Sequence, residues 1–116
     1  MSFLSWAVLL VGAWSVINGL LHDIFVLRSE HGKVYDRNLL RLLMDGHILM
    51  TCGAVQLLAF SGIEEKAHWA FYMAGLASIS LLIYCAMIWP FLKSVATTLL
   101  NAILLILLIC SFLNFL

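Results

Sequence analysis

The sequence predicts an all-α protein, an integral membrane bundle of four antiparallel transmembrane helices forming a single domain over residues 1–116. Three observations carry this reading. Hydrophobic residues make up 65% of the chain and charged residues 10%, against about 45–50% apolar content in soluble domains. The mean hydropathy is +1.10, so a water-soluble fold would have too little polar surface to cover itself. The apolar runs also exceed strand length and lack period-two alternation. In lipid such a run must satisfy its own backbone hydrogen bonds, as a helix does.

Helix one is expected over 2–27. Its opening has neither a basic leader nor a small-x-small cleavage site, so it reads as a retained span rather than a signal peptide. It ends at Arg28-Ser29-Glu30-His31-Gly32-Lys33, where charge and glycine break the apolar pattern. Helix two is expected over 37–60, with Asp36 placed to accept from its first free amides. Ser61-Gly62 reads as the next turn. Helix three is expected over 64–89, with Glu64 and Glu65 suiting the positive end of its dipole and Pro90 weakening its far end. Helix four is expected over 94–115 and, being leucine-rich, should be the most lipid-exposed. At about 20 apolar residues per crossing, four spans consume the chain and leave no extramembrane domain.

Six basic and six acidic residues cancel. No basic field attracts nucleic acid, which is excluded as a partner. Arg28, Lys33, Arg37 and Arg41 surround the first loop and Lys93 lies in the third, while Lys66 stands alone in the second. The positive-inside rule therefore puts loops 28–36 and 90–94 in the cytoplasm and both termini outside, with a prokaryotic inner membrane as the default setting. Trp6, Trp69 and Tyr72 then lie at the outer interface, and Tyr35 and Trp89 at the inner one. Cys52, Cys85 and Cys110 lack CxxC spacing and read as packing residues, not disulfides. Met44, Met50, Met73 and Met87 read as gap-fillers.

Ionisable groups inside a membrane are costly and mark functional candidates. Here they are His22, Asp23, Asp45 and His47. Counted from the first loop at about 1.5 Å per residue, all four reach similar depth. Tyr84, Cys85 and Asn101 approach that level from the third loop, so one polar layer is expected to cross the bundle. Ser15, Asn18 and His22 share a face of helix one. Gly12 and Gly19 flank that face, and Gly46 and Gly53 stand seven apart on helix two. Small residues at such spacing let membrane helices approach closely, so helices one and two should be the tight pair.

Several readings of this layer follow. His22 and His47 can supply both axial ligands of a b-type haem. Together with Asp23 and Asp45 they can hold a divalent metal such as zinc or iron, although no HExxH or ExxH motif occurs. A His/Asp chain can also relay protons or ions, which in four helices calls for an oligomer. An imidazole oriented by a carboxylate can act as acid or base on a lipid or quinone, although no nucleophile motif is present and an enzyme is not established.

Polar packing asks least of the sequence. Arg41 can neutralise Asp45 one turn on, Asp23 can meet Arg28, His47 can bond Thr51, and His22 can meet Asn18 or Asp23. Such contacts are interhelical glue worth about 0.6 kcal/mol each. His31 and His68 read as solvated or interfacial groups. The combined expectation is an accessory or cofactor-binding subunit of a larger membrane complex. It would be surrounded by lipid and contact other membrane-protein subunits or copies of itself.

Overall fold

The computed structural model describes residues 2–115; Met1 and Leu116, the ends of the expected single domain, lie outside the described residues. Four helices are present: α1 (Phe3–Arg28), α2 (Arg37–Glu64), α3 (His68–Ile88) and α4 (Val95–Phe115). No strand occurs among the described residues. All four are long and apolar enough to cross a membrane, and the protein is an integral membrane four-helix bundle. Each helix packs on its neighbours in sequence, and α4 returns to α1 to close the ring. As expected, α4 is the least buried of the four.

Local chemistry explains most boundaries. Ser2 opens α1 by accepting from the Ser5 amide at 3.2 Å. Ser29 ends it, its hydroxyl donating to the Val26 carbonyl at 2.6 Å, and a 3-10 turn at Glu30–Lys33 follows. Asp36 caps α2 as expected, accepting from the Leu39 amide at 2.9 Å. At the far end of α2 the expectation fails. Ser61-Gly62 is not the turn, because α2 continues to Glu64 and α3 begins at His68. Glu64 and Glu65 therefore close α2 rather than open α3. Gly62 is a contact residue, since a Cβ there would lie 2.5 Å from the Ala70 Cβ and 2.6 Å from the Trp69 ring. The reversal is made instead at Lys66, which takes φ 59°. α3 stops at Ile88, ahead of Pro90, and the Phe91 and Leu92 amides both bond the Ile88 carbonyl.

The tight pair is α1 with α2, as the glycine spacing predicts. A Cβ on Gly53 would lie 2.7 Å from the Gly12 carbonyl oxygen, and one on Gly19 would overlap the Gly46 carbonyl. Backbone thus meets backbone at two levels seven residues apart, which only small residues allow.

Helix lengths are unequal, and this shapes the molecule. α3 and α4 have 21 residues each, about 31 Å at 1.5 Å per residue, matching a hydrocarbon core of about 30 Å. α1 and α2 have 26 and 28 residues, and the whole is 52 Å long. The surplus lies at the α1–α2 loop. Thr97, in the first turn of α4, reaches only as far as Asn18 of α1. Beyond Asn18, α1 packs on α2, with His22 against Leu42 and Asp23 against Gly46.

Candidate functional site: a polar half-bundle open at one end

The polar groups form two levels, not the single layer expected. The inner level is a buried amide network at mid-bundle. Gln56 of α2, fully buried, donates from Nε2 to Ser78 Oγ of α3 and to Asn101 Oδ1 of α4, each at 3.0 Å. Asn101 in turn donates to the Thr97 carbonyl at 3.0 Å. Thr97 Oγ1 accepts from Asn18 Nδ2 at 3.3 Å and from Trp14 Nε1 at 3.4 Å, both on α1. All four helices are tied together at this level. Two buried oxygens remain without a protein partner, Gln56 Oε1 and Ser15 Oγ.

The second level holds His22, Asp23, Asp45 and His47, the expected site. Gln56 lies nine residues beyond His47 on α2, about 13 Å along the axis. Asn101 therefore belongs with Gln56 and not with the histidines. The separation arises because α4 starts short, so its polar residues meet the middle of α1. Sequence reasoning passed over Gln56, Ser78 and Thr97 because they lie away from the depth of the histidines and carboxylates on which the expected layer is centred. The available signal was a lone amide inside an apolar run, which in lipid calls for a partner.

At the outer level His22, half-buried, places Nε2 3.0 Å from the Leu42 carbonyl oxygen of α2. It meets neither Asn18 nor Asp23 as expected, because Asn18 is already held by Thr97. Asp23 packs its carboxylate into the space that a Gly46 side chain would take. Its Oδ1 is buried without a hydrogen-bond partner, and His22, His47 and Asp45 all lie within electrostatic range of it. Asp45, half-buried, lies within electrostatic range of the Tyr84 hydroxyl of α3. Cys85 is buried beside it. His47 is exposed and meets Thr51 at 3.4 Å, as expected.

The expected neutralising pairs do not form. Arg41 is exposed, and among the described residues neither Arg41–Asp45 nor Asp23–Arg28 is an ion pair; Lys33 pairs instead with Glu30 in the loop, at 3.0 Å. Helical spacing permits Arg41 to meet Asp45, but the arginine is exposed while the carboxylate is half-buried. Both carboxylates are thus left to the interior and the arginines to the surface. Smaller corrections concern packing. Cys110 is exposed, as are Met44 and Met87, so these three face outward rather than fill gaps.

The half of the bundle beyond Gln56 is dry. Val8, Val11, Ala59, Ile63, Ala70, Phe71, Ala74, Leu104 and Leu108 make one closed apolar core between the amide network and the α2–α3 turn. Most buried polar side chains therefore lie between the α1–α2 loop end and mid-bundle; beyond Gln56, Ser5 is buried too, its hydroxyl 3.0 Å from that of Ser2.

This arrangement limits the chemistry. Among the described residues, no three histidine, cysteine or carboxylate side chains are grouped to hold a metal ion. The Nε2 atoms of His22 and His47 are both engaged by neighbours, so ligating haem would require both contacts to break. No family model matches the chain, and no curated protein or solved structure is significantly similar to it.

Proposed function

We propose that the chain is a small accessory subunit of a membrane complex, and that a second membrane protein docks on the overhanging end of α1 and α2. The observation that carries this reading is the length mismatch between the two hairpins. Beyond Asn18, α1 presents Leu20, Leu21, Ile24, Phe25 and Leu27 exposed, past the point where α4 covers it. Lipid tails are as apolar as these side chains, so a partner on the short side of the bundle would be held by close packing and interhelical hydrogen bonds rather than by apolar burial. At the same end of the molecule Asp23 Oδ1 is buried against Gly46 and unpartnered. A cationic or hydrogen-bond-donating side chain on the partner fits that atom.

The basic residues around the α1–α2 loop support a cytoplasmic position for this end, with both termini outside. The closed apolar core speaks against a conduit through one copy of the chain, so ion or proton transport would require paths between copies. A haem or divalent-metal role for His22, Asp23, Asp45 and His47, or catalysis on a lipid or quinone, would require the site to rearrange.

The test is site-specific photo-crosslinking in native membranes. A photoreactive residue at Phe25 should give a discrete protein adduct that weakens when Asp23→Asn is added, while one at Ile106 of α4 should give lipid adducts alone. Lipid adducts alone at Phe25 would refute the docking surface.

A further inference from the structure

A second recognition feature lies at the opposite end of the molecule, on the outer seam between α3 and α4. An open groove of about 390 Å³ runs there, lined from α3 by Phe71, Tyr72, Gly75 and Ile79 and from α4 by residues between Leu105 and Leu113. We propose that this groove is a binding site for one acyl chain of a phospholipid in the leaflet at the α2–α3 turn.

Four features select that occupant. The groove is placed correctly, because it starts one turn into α3 and follows both helices for about 12 Å at 1.5 Å per residue. That is close to the depth of one leaflet, half of a core of about 30 Å. Its cross-section is also right: 390 Å³ spread over such a length suits a single hydrocarbon chain and is far too narrow for a helix about 10 Å across. The floor is open as well, since a Cβ on Gly75 would meet nothing within 4 Å. Gly75 thus differs from Gly12, Gly19, Gly46, Gly53 and Gly62, each of which is filled by a neighbouring element.

The mouth has matching chemistry. His68 sits over it with its ring 5.3 Å from that of Phe112 and 6.4 Å from that of Tyr72, and Tyr72 lies 5.7 Å from Phe112. An imidazole and a phenol at the end of an apolar slot suit the ester and phosphate oxygens of a glycerophospholipid. Aromatic side chains with one wet end belong at that depth.

Native mass spectrometry tests the proposal on protein released from nanodiscs of palmitoyl-oleoyl phosphatidylethanolamine and phosphatidylglycerol. The wild type should retain a one-lipid adduct at collision energies that strip the rest. Gly75→Leu, whose Cβ enters open space and whose isobutyl group projects into the groove, should lose that adduct, while Gly75→Ala should keep it. Ile109→Trp closes the groove from α4 and should reproduce the loss if Gly75→Leu fails to fold. Leu99→Trp, on exposed α4 surface away from the groove, should have no effect. A wild type with no retained lipid, or an adduct surviving equally in Gly75→Leu and Ile109→Trp, would overturn the proposal.

Discussion

The two halves of this bundle are built from the same four helices by opposite rules. Toward the α2–α3 turn, the interior is mainly alanine, valine, leucine, isoleucine and phenylalanine around Ala59, Ala74 and Leu104, with Ser5 the buried polar residue. Toward the α1–α2 loop, the interior holds an amide network and then two carboxylates and a histidine at an end that α4 does not cover. The dry half can fold by packing alone. The polar half holds buried oxygens on Ser15, Asp23 and Gln56 that the chain leaves unpartnered. Leaving such groups unpartnered carries a cost, and among the described residues they lie at mid-bundle and toward the α1–α2 loop.

Substitutions can break this contrast in graded ways. The largest effect should come where the halves share a spine. Gly46→Leu would drive a side chain into the Asp23 carboxylate and the Gly19 backbone, at an overpacking cost of about 3 kcal/mol or more. Folded protein should be lost in a detergent unfolding titration, and a normal transition would show that the hairpin tolerates separation.

Next come exchanges of character between halves. Leu104→Asn places an unpartnered amide in the dry core and should cost about 3 kcal/mol. Asn101→Leu removes the amide that accepts from Gln56 and should cost about 1 kcal/mol. Equal costs in the same titration would mean that the two interiors are not distinct. The smallest effect belongs to His47→Ala. Its exposed contact with Thr51 is local, and stability should stay within about 0.5 kcal/mol. A larger loss would indicate that His47 is held by more than Thr51.

Much of this architecture was legible in the sequence. Hydropathy marks the four spans because lipid leaves a long apolar run no alternative to a helix. The seven-residue glycine spacing marks the α1–α2 contact, and Asp36 marks its cap. What was not legible depended on partners distant in sequence. Ser61-Gly62 has the composition of a turn, but Gly62 is small because Trp69 and Ala70 pack on it. Arg41 and Asp45 have pairing distance on one helix, yet Arg41 stays exposed while Asp45 is half-buried near Tyr84 of α3, thirty-nine positions later. The site residues His22, Asp23, Asp45 and His47 do share one end of the bundle. That this end is left uncovered follows from where α4 begins, and residue counting from the loops did not reveal the offset between hairpins.

The contrast between a polar and an apolar interior predicts that an aqueous reagent can reach the polar half from the α1–α2 loop end and does not reach the apolar core. Cysteine accessibility tests it most directly. In a background with Cys52, Cys85 and Cys110 replaced, single cysteines at Asn18, Thr97, Ala59 and Leu104 would be exposed to a charged, membrane-impermeant methanethiosulfonate reagent from each side of sealed vesicles. The account predicts labelling at Asn18 and Thr97 from the side bearing the α1–α2 loop only, and none at Ala59 or Leu104 from either side. Labelling of Ala59 and Leu104 at rates comparable to Asn18 would contradict it.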